Sequence, residues 1–265
     1  MYRAMRQKYH SATGSLRRLP DFLVIGVQKG GTSTLFTYLK DHPDLVLPRK
    51  EIHFFDLHYE NGLDWYRSHF PLRSRRGTVT GEATPYYFFH PLAPGRIRKD
   101  LPNAKFILLL RNPVDRAHSH YQMMRSQGRI GSQTFEEVLK IEEETVARET
   151  ERILVNPSHS PEHHQAYSLI SRGKYFEQIS RWFAVFPKEQ FLILRSEDFF
   201  RKPTEELQKV YGFLGIEPVY PAEDLLVNSG SYKPLDERTS SRLKEYFAED
   251  QKKLVELLGP SFAWD

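Results

Sequence analysis

No cysteine occurs anywhere in the 265-residue chain. Disulfides, thiolate zinc sites and a cysteine nucleophile are excluded together, and the composition suits a reducing compartment. No apolar run approaches the roughly 18 residues of a membrane span, and no hydrophobic stretch follows the basic N-terminus as in a secretory signal. A bacterial cytoplasmic enzyme fits this pattern, and a Golgi-lumenal catalytic domain without its anchor would read the same. Acidic residues are missing from residues 1–19, where Arg3, Arg6, Lys8, Arg17 and Arg18 stand alone. The whole chain carries only +4, so the body beyond this leader is close to neutral. A near-neutral body with a basic tail does not make a nucleic-acid binder. Residues 1–19 are expected to form a flexible leader. There is no internal repeat and no low-complexity linker. At 39% hydrophobic and 13% aromatic residues, the remainder can build one large core, and a single domain over 20–265 is expected.

Three runs rich in β-branched and aromatic residues read as buried strands: DFLVIGV (21–27), KFILLLR (105–111) and QFLILRSEDF (190–199). Helical patterns occupy 33–42, 115–127, 134–154, 173–186, 203–215 and 240–259, while Pro/His/Ser-rich NPSHSPEHH (156–164) reads as a loop. Buried strands alternating with helices predict an α/β fold, P-loop-like and three-layered, with a central parallel sheet flanked by helices.

The stretch FLVIGVQKGGTSTLFTYLKDHP (22–43) lacks the G-K-[ST] of an ATP-binding loop: Lys29 precedes Gly30 and Gly31, and Thr32 and Ser33 follow. Two glycines allow a sharp turn and close approach of backbone N–H groups to a ligand. A helix beginning at Thr32 and Ser33 would offer unpaired N–H groups and its positive dipole end to an anion. A second segment, FILLLRNPVDRAHSHY (106–121), brings Arg111 to a strand's carboxyl end. Ser119 follows on a helix that also carries Arg116. Arg111 and Ser119 can hold a phosphate jointly. An arginine where a kinase would place a magnesium-binding acid favours a multiply phosphorylated, metal-free ligand over ATP; acids appear only at Glu197 and Asp198 on the third strand.

Other candidates carry less chemistry. His118, His120, His159, His163 and His164 lack the carboxylate–histidine spacing of zinc sites, and no metal is expected. Glu142–Glu144 reads as the wet face of a helix. Glu82 is either a second carboxylate for the cleft or a solvated loop residue.

The paired phosphate segments resemble those of the PAPS-dependent sulfotransferases. KGGTST is similar to that family's 5′-phosphosulfate loop and LLLRNPVDRAHSHY to its 3′-phosphate motif. RGKYFEQISRWF (172–183), FLILRSEDF (191–199) and VYGFLGI (210–216) resemble its later core segments, so the likeness covers about residues 20–265. KEIHFFD (50–56) and SFAWD (261–265) look most like the heparan-sulfate (glycan) type and its bacterial relatives.

This resemblance implies transfer of a sulfuryl group from PAPS (3′-phosphoadenosine 5′-phosphosulfate) to a hydroxyl or amino group of an acceptor, carbohydrate in class, leaving PAP and needing no metal. Glu51 then falls on the general base, with His53 orienting Glu51 or the acceptor, or else serving as a hydrogen-bonded neighbour of Phe54 and Phe55. Lys29 would neutralise the leaving phosphate, with Gly30, Gly31, Thr32 and Ser33 donating to it, and Arg111 and Ser119 would take the 3′-phosphate. Tyr175 either stacks on the adenine or is a core aromatic. NSGSYKP (228–234) matches a late glycine loop, which places Gly230, Ser231 and Tyr232 over the 3′-phosphate. The chain departs from the heparan type in lacking basic residues around that glycine, in lacking a nearby disulfide, and in carrying Ala83 where a lysine is common. Residues 57–100 and 125–170, with RSRR (73–76) and PYYFFH (85–90), are expected to wall the acceptor. The alternatives are a P-loop kinase for a small molecule or nucleotide, and a non-catalytic PAP-binding protein.

Overall fold

A computed structural model describes residues 13–73, 78–219 and 233–264. Five parallel strands lie in the order β2-β3-β1-β4-β5: β1 Phe22–Gly26, β2 Leu45–Val46, β3 Val79–Ala83, β4 Lys105–Leu110 and β5 Phe191–Arg195. Residues along β1 and β4 alternate between two cores. Leu23, Ile25, Phe106, Leu108 and Leu110 face Trp182 and Ile179, whereas Phe22, Val24, Ile107 and Leu109 face Leu35, Leu39 and Tyr211. Helices thus cover both faces, which is why these strands are almost uninterruptedly apolar. A third cluster joins the helices Pro113–Ser126, Phe135–Val155 and Glu237–Leu258 through Tyr121, Val138 and Phe247.

The six helices expected from periodicity all form, with ends shifted by a few residues. Four differences from the sequence reading have physical causes. The third predicted strand ends at Arg195, and Ser196–Arg201 is helical. The helix Glu162–Tyr167 enters the supposed loop, anchored by buried His164, whose ring meets Tyr86 Oη at 2.6 Å and Thr150 Oγ1 at 3.1 Å. Strand β3, VTGEA, carries no strand signal of its own because a glycine and a glutamate interrupt it; Gly81 lies against the Phe22 ring, leaving no room for a Cβ. Glu142 is buried rather than wet, and accepts hydrogen bonds from the backbone N–H groups of Leu169, Ile170 and Ser171.

The packed body also begins before residue 20. Arg17 is buried and donates to the Phe70 carbonyl at 2.7 Å, and Leu19 packs on the core. Only residues 1–12 of the expected leader lie outside the described residues.

Candidate active site

Parallel strands deliver their carboxyl ends to one edge of the sheet, where ligands bind in such folds. After β1 the chain turns at once: the Gly30 N–H donates to the Val27 carbonyl at 2.9 Å, with Lys29 and Gly31 at φ 73° and 94°. A Cβ on Gly30 would lie 2.4 Å from the Leu109 carbonyl oxygen, so the turn can press against β4 only without a side chain. The helix Thr32–Lys40 follows with no side-chain cap. Its first-turn N–H groups and positive dipole end are therefore left for an anion.

Arg111, at the end of β4, donates to the Lys29 carbonyl at 3.1 Å. The two segments read as anion sites are thus in contact. Lys29, Gly31, Thr32, Ser33, Arg111 and Ser119 line a cleft of about 1080 Å³, and Lys50, Glu51 and His53 line it too. Lys50 donates to Ser33 Oγ at 2.6 Å and lies 3.2 Å from Glu51 Oε1, tying the phosphate loop to the expected base. Burial, then the charges of Arg111 and Lys50, lower the Lys29 pKa. Crowded cations of this kind fit a ligand carrying several negative charges.

Glu51 and His53 have φ of 60° and 57°. With Lys29 they are the three non-glycine residues of positive φ among the described residues. Such geometry costs on the order of 1–3 kcal/mol per residue and persists where surroundings enforce it. Here the Glu51 N–H donates to the Ala83 carbonyl at 2.8 Å, Ile52 is buried between the two, and the Phe54 N–H donates to Tyr87 Oη at 2.9 Å. His53 Nδ1 lies 2.8 Å from Oδ2 of buried Asp56, and Nε2 lies 3.9 Å from Glu51 Oε2. Burial pulls the His53 pKa down, but the Asp56 hydrogen bond and charge, with the charges of Glu51 and Glu82, outweigh it and raise the pKa.

Not every expected residue reaches the cleft. Glu82 is only 1% exposed, accepting from Tyr66 Oη, Tyr87 Oη and Thr84 Oγ1 at 2.8, 2.9 and 2.7 Å. It holds the tyrosine that pins Phe54, and so supports the Glu51–His53 turn from beneath. Burial raises its pKa against those hydrogen bonds, and the Asp56 charge adds to the rise. Tyr175 is 1% exposed and donates to the Arg111 carbonyl at 2.7 Å. It is a core aromatic rather than an adenine platform, because the inward face of the helix Tyr175–Phe183 carries it into the core. Gly30 is buried and shapes the turn; its carbonyl accepts from Ser196 Oγ at 2.6 Å. Gly230, Ser231 and Tyr232 lie outside the described residues, as do 74–77 of the RSRR region. The flanks of that region pack near the amino end of β1. The Arg73 N–H donates to the Leu16 carbonyl, and the Thr78 carbonyl accepts from Arg18, which bridges to Asp21 at the amino end of β1, the edge opposite the cleft.

Sequence reasoning passed over Lys50, Asp56, Arg172 and Phe200. Lys50 and Asp56 flank E-x-H-F-F and were open to notice there. Arg172 meets Gln28 from across the chain, and Phe200 lies against Gly31; no local pattern marks either. Among the described residues no group of three His, Asp or Glu side chains is placed to hold a metal ion. His118 pairs with Gln122, and His159 with Glu149, both at 2.9 Å.

A family model described as a sulfotransferase domain matches residues 19–253. The membrane-associated sulfotransferase kil1 of Dictyostelium discoideum is 30% identical, the alignment covering 95% of this chain and 68% of that protein. The human heparan sulfate glucosamine 3-O-sulfotransferase 3B1 is 32% identical over 97% of this chain and 67% of its own. The crystal structure of a sulfotransferase from Alicyclobacillus acidocaldarius superposes with a TM-score of 0.69 at 29% identity, covering 91% of this chain and 96% of that one. With the family model and these relatives aligned along nearly its whole length, the chain belongs to the PAPS-dependent sulfotransferase family.

Proposed function

We propose that this cleft transfers the sulfuryl group of PAPS to a hydroxyl or amino group of a carbohydrate-class acceptor, with Glu51 as general base. The observation that carries the reading is the convergence of the left-handed residues Lys29, Glu51 and His53 on one cleft, linked by Lys50. The names of the glucosamine 3-O-sulfotransferase relatives support a carbohydrate acceptor. The family match displaces the kinase alternative.

When bound, PAPS supplies a sulfuryl group already activated by its bond to the 5′-phosphate. Arg111 and Ser119 hold the 3′-phosphate through charged and hydroxyl donors. Lys29 and the backbone N–H groups from Gly31 to Ser33 neutralise charge on the leaving oxygen. Lys29 and Lys50 do the charge balancing at the transferring group for which a kinase uses a metal, and turnover is expected to be insensitive to a chelator. Glu51 takes the acceptor proton as the new oxygen–sulfur or nitrogen–sulfur bond forms and the sulfur–oxygen bond to the 5′-phosphate breaks to release PAP, a contribution typically of about 100- to 10,000-fold. His53, fixed by Asp56, turns Nε2 toward Glu51 and keeps its carboxylate aimed.

Transfer of sulfur-35 from PAPS, measured beside PAP binding, tests this. Glu51→Gln should lower kcat by about 100- to 10,000-fold with PAP affinity retained, and His53→Ala should lower it less. The reverse ranking would move the base to His53 and defeat the proposal.

A further inference from the structure

The cations lining the cleft differ in how they are engaged. On the phosphate side stand Lys29, Lys50 and Arg111. Arg172, beside Gln28, is buried: Nε donates to Ser168 Oγ at 2.7 Å, one terminal nitrogen to the Gln165 carbonyl at 3.1 Å and the other to Gln28 Oε1. Its guanidinium also lies over the rings of Tyr86 and Phe89, at 4.7 and 5.2 Å. Arg172 spends one donor of each nitrogen inside the fold, beneath two aromatic rings, and so offers a ligand less than a free arginine would. Arg129 is exposed and donates to Gln165 Oε1 at 3.1 Å, so it keeps donors for one anionic group.

Apart from Glu51, His53, Asp115 and Glu197, the rest of the cleft lining is uncharged. Gln28, Gln122 and Gln165 belong to it, each spending one end of its amide on Arg172, His118 or Arg129. The opposite ends, Gln28 Nε2, Gln122 Oε1 and Gln165 Nε2, have no partner among the described residues. Unspent amide donors and acceptors suit hydroxyl groups. A polyanion instead calls for a field of unengaged lysines and arginines.

Resting on the sulfotransferase reading above, we infer that the acceptor is a polar hydroxyl compound that is uncharged or bears a single anionic group, bound by the glutamine wall with Arg129, and not a polysulfated glycan. The shared carbohydrate chemistry with the 3-O-sulfotransferase relatives stands, but the charge requirement does not.

Initial rates of sulfur-35 transfer to a neutral aryl glucoside, an aryl glucuronide and heparan sulfate test this, each at low and physiological salt. One of the small glycosides should exceed heparan sulfate in kcat/KM by about ten-fold or more, with little change between the two salts. Arg129→Ala should lower the ratio of glucuronide to glucoside kcat/KM by about ten-fold, the loss of one charge-assisted contact. Preference for heparan sulfate, transfer to neither glycoside, or an unmoved ratio in the variant would each overturn the inference. PAP binding to the unaltered protein separates the two levels. Its failure would strike the sulfotransferase reading itself, whereas PAP binding with heparan sulfate as favoured acceptor would strike only the charge argument.

Discussion

At His53, one ring nitrogen faces a buried carboxylate and the other faces a half-exposed one, 2.8 Å from Asp56 and 3.9 Å from Glu51. The pair raises the His53 pKa in the folded protein above its ordinary value of about 6.5. The native state therefore binds more protons than the unfolded chain between these two values. The pair's contribution to stability is complete below about pH 6.5 and fades as pH rises through the folded value. Asp56→Asn keeps the oxygen that accepts from the Leu57 N–H but removes the charge. Its melting temperature should fall furthest below the parent's near pH 6 and approach it by about pH 9. A deficit that is constant or grows with pH would show that Asp56 does not act through His53.

The turn between β1 and the helix Thr32–Lys40 is the element on which the proposed phosphate site depends, and its tolerances are measured in tenths of an ångström. Gly30→Ala drives a methyl group into the Leu109 carbonyl at 2.4 Å. Backbone on both sides must shift, at a cost of about 1–3 kcal/mol, and PAP affinity should fall with stability. Gly212 is the contrasting case: it sits in the helix Pro203–Leu214, and a Cβ added there would meet nothing within 4 Å. Gly212→Ala should stabilise by about 0.5–1 kcal/mol, since alanine loses less backbone freedom on folding. Urea denaturation of the two variants checks both signs, and a stable Gly30→Ala protein with unaltered PAP affinity would refute the close-approach argument.

For the molecule as a whole, a ligand that bridges the ends of β1 and β4 should stabilise the entire sheet. PAP at about a hundred times its Kd adds about 2.7 kcal/mol. For a chain of this size each kcal/mol is worth about 2–4 °C, so a rise in Tm of about 5–11 °C is expected, undiminished by a chelator. Arg111→Ala should weaken PAP about ten-fold or more, and adenosine 5′-phosphate, lacking the 3′-phosphate, much less. Equal weakening of both ligands, read from the same melting curves, would remove Arg111 from the 3′-phosphate site.

Strands β1 and β4 and the two turns that meet at the cleft were legible in the residues alone, because each is a local pattern: an apolar run, a glycine turn, an arginine at a strand's end. E-x-H-F-F was legible only through its resemblance to a family. Strand β3 was hidden, since its identity comes from pairing with β1 and β2 rather than from its own composition. Tyr175 was ambiguous in sequence and became a core residue because of the face its helix turns inward. Glu142 reads in sequence as a solvated charge and Glu82 as either a cleft carboxylate or a solvated one, until folding encloses both and brings hydroxyl or backbone donors to their oxygens. The same holds for the glutamine wall, where Arg172 closes on Gln28 from 144 residues away. Local chemistry chose the elements and the phosphate loop. Long-range packing chose which charges are spent inside the fold and which are left to meet a ligand, because pairing across the sheet leaves no periodic trace in the chain.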